Sequence, residues 1–569
     1  MSAVVEAREP SAKYLSALQS PLVQHFELMA TAPGGVARLR ELILTLAVQG
    51  KLVPQDPKDG HAKELLKEIR AEKDRLASAG KTRRDKPLEP ITEKEQPFNL
   101  PLTWKWARFG DVSINRDGER IPVSSSDRDK RAKIYDYYGA SGVIDKIDGY
   151  LFDKTLLLIG EDGANLLNRS TPIAYLAHGQ YWVNNHAHVI DTTHSDLMNY
   201  LALFINAISL EPYVTGTAQP KMNQAKLNSI VVALPPLTEQ PRIVTRVEEL
   251  MRLCDALEAK GELEAAQHAQ LVQTLLSALT TSTSPEELAD NWQCVATHFD
   301  LLLDRPEAID ALEQTILQLA VRGLLVPQDP EDEPASELMK KIRAEKGRLI
   351  ADGKIKRDKP MSLIGEDDVP FEIPEGWVWV RWVDIAMKIG DIDHKMPSEV
   401  KEGIPYVSPR DFFGTNEIDF DGAKKISESD FLDLSSKIRP EVGDLIYPRY
   451  GTIGVVRKVT VDREFLASYS CAVIKVLHGC VEPDYQYLFS ISGCAKDQAT
   501  AATNKTTQPN VGIKSIQEFL YPLPPLAEQS RIVARVNLLR NLCTDLRQRL
   551  AARQITQAHL AEALIDEVA

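Results

Sequence analysis

The side chains best suited to chemistry lie in a few short motifs. His186 and His188 stand two apart in NNHAH, where strand alternation would put both on one face. Imidazoles so placed could ligate a metal or serve a nuclease. No third ligand and no pair of acids stands nearby in sequence, so strand-end or loop-shaping polar residues are the expected reading. GEDGANLL, from Gly160, and RYGTIG, from Arg449, are glycine-bearing turns after apolar runs. Such turns can offer backbone N–H groups to a phosphate, although a plain tight turn satisfies the same spacing. Two polar loops, GTAQPKMNQAKLN over 216–228 and ATNKTTQPNVGIKS over 502–515, are rich in Gln, Asn, Thr and Lys and poor in acid. Gln and Asn match adenine edges, and Lys and Arg reach guanine or phosphate. A solvated loop would have the same composition.

Signatures of catalysis are missing. The chain has no GxxxxGK[ST] phosphate loop and no GxGxxG after a strand. Each Pro-Pro-Leu motif follows a leucine, Leu234 or Leu523, where an adenine methyltransferase would use Asn or Asp. These motifs read instead as rigid helix starts. Glu239 and Glu528 then fall in a first helical turn, where the helix dipole favours acid. The six cysteines form no CxxC pair, which points to neither a zinc site nor a disulfide framework and fits a reducing cytoplasm. No apolar run is long enough to cross a membrane, and the N-terminus does not read as a signal peptide.

A net charge of −14 argues, taken alone, against a nucleic-acid partner. Charge is not spread evenly, however. Residues 101–236 carry 13 Lys and Arg against 14 Asp and Glu, which leaves room for a local basic face.

The elements that must position these motifs come in two copies. LTLAVQGKLVPQDP at 44–57 returns as LQLAVRGLLVPQDP at 317–330. In one unbroken register Gly50 maps to Gly323, Ile69 to Ile342, Asp85 to Asp358, and Trp104 and Trp106 to Trp377 and Trp379. Later, ALPPLTEQPRIVTRV from Ala233 matches PLPPLAEQSRIVARV from Pro522. Between these constant segments the match fades. The chain is therefore one frame written twice around two different bodies, an arrangement suited to two separate recognition tasks.

Val36, Leu39, Ile43 and Leu46 predict a helix that stops at Gly50, and a second helix follows up to Gly80, with its twin ending at Gly353. After each Pro-Pro-Leu motif runs a heptad stripe. It comprises Ile243, Val247, Leu250, Cys254 and Leu257, repeated as Ile532, Val536, Leu539, Cys543 and Leu546. A helix of about 40 residues spans roughly 60 Å. The stripes are expected to pair copy to copy as an antiparallel spacer, with Cys254 near Cys543. The bodies read as mixed α/β, from runs such as TLLLIG, TPIAYLA, VGDLIYPRY and SCAVIKVL punctuated by turn residues.

The expected architecture is thus two α/β (α+β) bodies separated by long antiparallel coiled-coil helices, internally duplicated with pseudo-two-fold symmetry. Its parts are a lead-in 1–35, a helical segment 36–95, a first body 96–236, a central helical region 237–368, a second body 369–525 and a distal helix 526–569. On the residues alone, two other classes stay open. One is a coiled-coil adaptor that binds only proteins. The other is a nuclease fused to coiled coils, which the missing acid and metal cluster disfavours.

The ordered and duplicated motifs resemble the specificity subunit of Type I restriction–modification systems over nearly the whole chain. The resemblance rests on LPPLTEQPRIV and LPPLAEQSRIV, on GTAQPKMNQAKLN, and on YYGASGVIDKIDGYLFD, LLIGEDGANL and YWVNNHAHV in the first half. In the second half it rests on IPYVSPRDF, VGDLIYPRYGTIG and TNKTTQPNVGIKS. It implies two target-recognition domains that each bind half of a split double-stranded DNA site, and helices that fix their spacing and dock two methyltransferase subunits. Restriction and translocase subunits would join the same complex. It also implies no catalysis and no cofactor in this chain, with S-adenosylmethionine, ATP and Mg2+ used by the partners. The expected DNA contacts are Gln219, Lys221, Asn223 and Lys226 in the first body, and Arg449, Asn504, Lys505 and Gln508 in the second. The second loop departs from the first, with QPNVGIKS in place of QPKMNQAKLN, and the lead-in is longer than the resemblance implies.

Overall fold

The computed structural model describes residues 21–80, 87–216, 219–282, 284–358, 361–503 and 509–568. It divides into two units, Met1–Glu264 with Gln554–Ala569, and Ala265–Arg553. Each unit holds one copy of the frame and one body.

In the first unit a short helix, Pro21–Thr31, leads into Gly35–Gln49. The latter buries Leu39, Leu42, Ile43 and Leu46, the three- and four-residue spacing of one helical face. It stops at Gly50 because φ there is 72°, and a Cβ would come within 2.6 Å of the Pro101 ring. Gly323 repeats this in the second unit, with φ 73° and Pro374 at 2.5 Å. The helices Ala62–Ser78 and Ala335–Ala351 follow the two connectors.

Each body hangs from a two-stranded antiparallel ribbon. Lys105–Arg108 leads into the first body and pairs with Val231–Leu234, which leads out. Val378–Arg381 and Leu520–Leu523 do the same for the second. Inside the first body one four-stranded sheet runs Ile114–Asn115, Ala187–Asp191, Leu156–Gly160, Ala174–Ala177. The second body repeats that order with Ala386–Gly390, Cys471–Val476, Leu445–Pro448 and Arg457–Lys458. The remaining sheets differ. The first body adds four strands, with Tyr135–Gly139 central and parallel to Gln180–Val183. The second adds a three-stranded sheet centred on Ile404–Val407 and a small two-stranded one.

The two long helices are Gln240–Thr281, which continues without a break through Gly261, and Leu526–Val568. Their stripes do not pair as expected. Ile243, Val247, Leu250 and Cys254 are buried in the first unit's core beside Leu39, Ile43 and Leu46, with Leu257 packed at its margin. Arg40 on the Gly35–Gln49 helix reaches Asp255 and Glu258. Ile532, Val536 and Cys543 are buried in the second unit's core beside Ile309, Leu312 and Ile316, with Leu539 and Leu546 at its margin. There Arg540 and Arg547 grip Glu313. Cys254 and Cys543 therefore lie in separate cores, and no layer containing both forms. A heptad period identifies an apolar face but not the element that covers it. Here the frame helix of the same copy is a main partner. The far end of the second long helix also joins the first unit's core, where Leu564 and Ile565 pack and Glu562 meets Arg38.

Candidate nucleic-acid interface

Three motifs far apart in the first body's sequence converge. The turn after Leu156–Gly160 lies beside NNHAH, where Glu161 N–H donates to the His186 carbonyl at 2.8 Å. The polar loop is laid over that turn. Met222 N–H donates to the Glu161 carbonyl at 2.8 Å, and Gly163 N–H donates to the Pro220 carbonyl at 3.0 Å. The loop closes on itself through a Thr215–Lys221 backbone pair. Fully buried Met222 and Leu227 pin it from beneath. Of the two readings of this turn, a plain tight turn fits better, because its Gly163 N–H holds the loop and its Glu161 N–H holds the NNHAH segment.

The expected contact residues sit along this loop. Gln219 is exposed. Lys221 is half exposed and pairs with Glu161 at 3.2 Å. Asn223 is exposed, but its side-chain oxygen accepts from Lys226 N–H at 3.0 Å and caps the helix Gln224–Ser229. Lys226 lies in that helix, half-buried.

Beneath the loop is a buried charge network. His188 is 1% exposed; its Nδ1 lies 2.6 Å from Asp117, and its Nε2 donates to the Met222 carbonyl at 2.8 Å. Arg120 joins Glu161 at 2.9 Å and Asp117 at 3.4 Å. Burial pushes the Asp117 carboxyl upward, but the hydrogen bond and charge of His188, with Arg120, hold it below the ordinary aspartate value. Ligating atoms of Asp117, Glu161 and His188 lie within 4.8 Å of one another. Arg120 already bridges the two carboxylates, and both imidazole nitrogens are engaged, so this donor set fits an ion-pair network better than a metal. The acids that sequence reading did not find beside the histidines come from segments well separated along the chain. His186 does not share the His188 face either. It lies in the turn, about half exposed, and meets Asp162 at 2.8 Å.

The second body builds the same loop seat from other residues. Val511 N–H donates to the Arg449 carbonyl at 3.0 Å, Gly451 N–H donates to the Pro509 carbonyl, and Tyr450 bridges Asn510. Arg449 is 6% exposed. Its guanidinium donates to Asp391 and to the carbonyls of Val511, at 3.0 Å, and Tyr469. Arg449 is therefore an internal brace, not the exposed contact expected of it. Asn504, Lys505 and Gln508 lie outside the described residues.

The frame has its own buried polar knot, present in both copies. Glu239 is fully buried and accepts from the Trp104 indole N–H at 2.9 Å and the Gln55 amide at 2.7 Å. Glu528 accepts from Trp377 and Gln328, both at 2.9 Å. Gln240 and Gln529 reach back to the carbonyls of Pro235 and Pro524. Burial raises both carboxyls above the usual glutamate value, against the pull of those donors. Sequence reading assigned these acids to the helix dipole. Their larger task is to tie the Pro-Pro-Leu corner to the connector and to the strand leading into the body.

The fold and its two loop seats define a class: a duplicated recognition protein with two unlike bodies mounted on one repeated frame. The family description "Type I restriction modification DNA specificity domain" matches residues 101–267 and 374–554. The chain is 35% identical to the Type I restriction enzyme EcoEI specificity subunit of Escherichia coli over 94% of this chain and 93% of that one. It is 34% identical to the EcoAI specificity subunit of the same organism over the same shares. The crystal structure of the HsdS subunit from Thermoanaerobacter tengcongensis covers 83% of this chain and 98% of its own. At 15% identity and a TM-score of 0.37, that likeness is too loose to add to the sequence match. The chain belongs to the Type I restriction–modification DNA specificity family. It is the non-catalytic DNA specificity subunit of such a system, and methylase and nuclease activities lie in other subunits. Among the described residues, no helix is long and apolar enough to cross a membrane.

Proposed function

We propose that each body reads one half of a split double-stranded DNA site through the loops at 216–228 and 502–515. Gln219, Lys221, Asn223 and Lys226 serve the first half-site, and Asn504, Lys505 and Gln508 the second. The long helices hold the spacing and dock two methyltransferase subunits in the cytoplasm. Restriction and translocase subunits join the assembly, and S-adenosylmethionine, ATP and Mg2+ are used by these partners. One observation carries this reading. Both bodies seat a polar loop on the same backbone hydrogen bonds, while the side chains along the loop differ. A shared seat with changed side chains suits two base sequences read by one geometry, with phosphate contacts positioning and base contacts specifying. The test is to replace residues 371–525 with another body of the family and sequence the methylated motif in cells that carry the partner subunits. One half of the motif should change and the other stay. Change in both halves, or in neither, refutes the reading.

A further inference from the structure

Met222 and Val511 are counterparts. Each donates its N–H to the carbonyl of the residue that opens the turn, Glu161 or Arg449, and each is fully buried just before a short helix, Gln224–Ser229 or Ile513–Glu518. The carbonyl at this position faces inward in both bodies and needs a donor. In the first body the donor is His188 Nε2, from the strand Ala187–Asp191. In the second it is Arg449 Nε, from the end of Leu445–Pro448. The donors thus come from different strands, yet each is backed by an aspartate that follows the body's first sheet strand, Asp117 or Asp391.

The two supports are chemically alike. A carbonyl can only accept, and Asp117 is held as a carboxylate, which also only accepts. His188 Nε2 therefore carries the proton it gives to that carbonyl, as Arg449 Nε does, and its Nδ1 faces Asp117. In the first body Asp117 lies against His188 and Arg120, Glu161 pairs with Arg120, and Lys221 approaches Glu161 from the loop surface. In the second, Asp391 faces Arg449, with His394 and Lys437 around its outer edge.

We propose that His188 with Asp117, and Arg449 with Asp391, are positioning residues for sequence discrimination. Each pair sets the height and tilt of one recognition loop through a single backbone carbonyl without touching DNA. The inference rests on the reading that these loops contact the DNA. Without the donor, the buried carbonyl is unsatisfied and the loop must shift to find water. Base readout depends on placement to a fraction of an ångström, so such a shift relaxes one half-site. No phosphate contact is lost, so the salt dependence of binding stays as it was.

The experiment uses the full chain assembled with its methyltransferase partner and DNA duplexes with single base changes in each half-site. His188→Ala should lower discrimination in the first half-site by about tenfold, the scale of one lost base contact, and leave the second unchanged. Arg449→Met should do the reverse, and Arg449→Lys should restore part of it. Asp117→Asn, nearly isosteric, covers the case in which His188→Ala does not fold, and should relax the same half-site less. Gln219→Ala and Lys221→Ala separate the two ideas. If they alter the first half-site while folded His188→Ala and Asp117→Asn do not, the positioning role is wrong and the loop reading stands. If none of the four alters it, the loop reading itself is wrong. Equal relaxation of both half-sites by His188→Ala would mark a general loss of structure and overturn the proposal.

Discussion

The buried Trp–Gln–Glu knot of the frame is the same in both copies, whereas the two bodies match only in path. Trp104, Gln55 and Glu239 have direct counterparts in Trp377, Gln328 and Glu528, down to distances of 2.9 Å for both indole bonds. At the residue that opens the turn beneath each loop the charge is reversed, although the carbonyl above it keeps a donor backed by an aspartate in both bodies. Where the first body has Glu161 between Arg120 and Lys221, the second has Arg449 against Asp391. Path and charge are thus specified separately. Backbone hydrogen bonds, which any residue can make, hold the loop seat in both bodies. The buried side chains must change together, because one reversed charge leaves the rest unpaired.

The largest effect should come where the frame is alike. Val247→Asp combined with Val536→Asp places an unpaired charge in both cores, where the valines are 4% and 0% exposed. We expect more than about 4 kcal/mol lost in denaturant unfolding; an unchanged midpoint would mean that the stripes are not packed. Next, Glu161→Arg tests the reversal by setting a third cation beside Arg120 and Lys221. It should cost about 3–5 kcal/mol, although arginine is the natural residue at the equivalent place. Tolerance of that single change would break the claim that the network changes as a unit. Trp104→Phe and Trp377→Phe should each cost about 1–3 kcal/mol, since each leaves a buried carboxylate short of one donor. Losses differing by more than about 1 kcal/mol would show that the frame copies are less alike than their geometry.

Acid titration gives a smaller contrast of opposite sign. The Asp117 value is lower folded than unfolded, so its stabilisation is present at neutral pH and lost as pH falls through that lowered value. Glu239 and Glu528 are raised on folding, so their cost is present at neutral pH and eases as pH falls through the raised values. Wild type and Asp117→Asn should therefore converge in stability only below the ordinary aspartate range, about 3.9. Glu239→Gln should lose its pH-dependent difference from wild type at higher pH than that. Convergence in the reverse order would refute both assignments. The least change is expected of Lys221→Ala in stability. Its ion pair is half exposed, so about 1 kcal/mol or less should be lost on unfolding.

Much of the frame was legible because its residues recur at fixed spacing. A glycine stop, a Pro-Pro-Leu corner and a heptad stripe each follow from local rules. Less legible was anything that depends on a partner distant in sequence. The stripe through Ile243 showed an apolar face, but Leu39 and Ile43 had to be seen beside it. His188 lacked neighbours in sequence because Asp117 and Glu161 arrive from turns that follow other strands. Arg449 looked like an exposed arm because composition does not reveal that Asp391 and the Val511 carbonyl enclose it. The glycine turns left phosphate binding and a plain tight turn equally open, because spacing does not show that Gly163 and Gly451 N–H groups go to the loops.

The ribbon that carries each body has the properties of a standard socket. Its two strands are four residues each, in register from Lys105↔Leu234 to Arg108↔Val231 and from Val378↔Leu523 to Arg381↔Leu520. The ends of the inserted chain are already held side by side, so the closure entropy of whatever lies between grows only slowly with its length. Two bodies of unequal length and unlike second sheets already occupy such sockets in this one chain. Any further body whose termini can complete that short ladder would inherit a fixed mounting, and a new reading head could be exchanged without redesign of the frame.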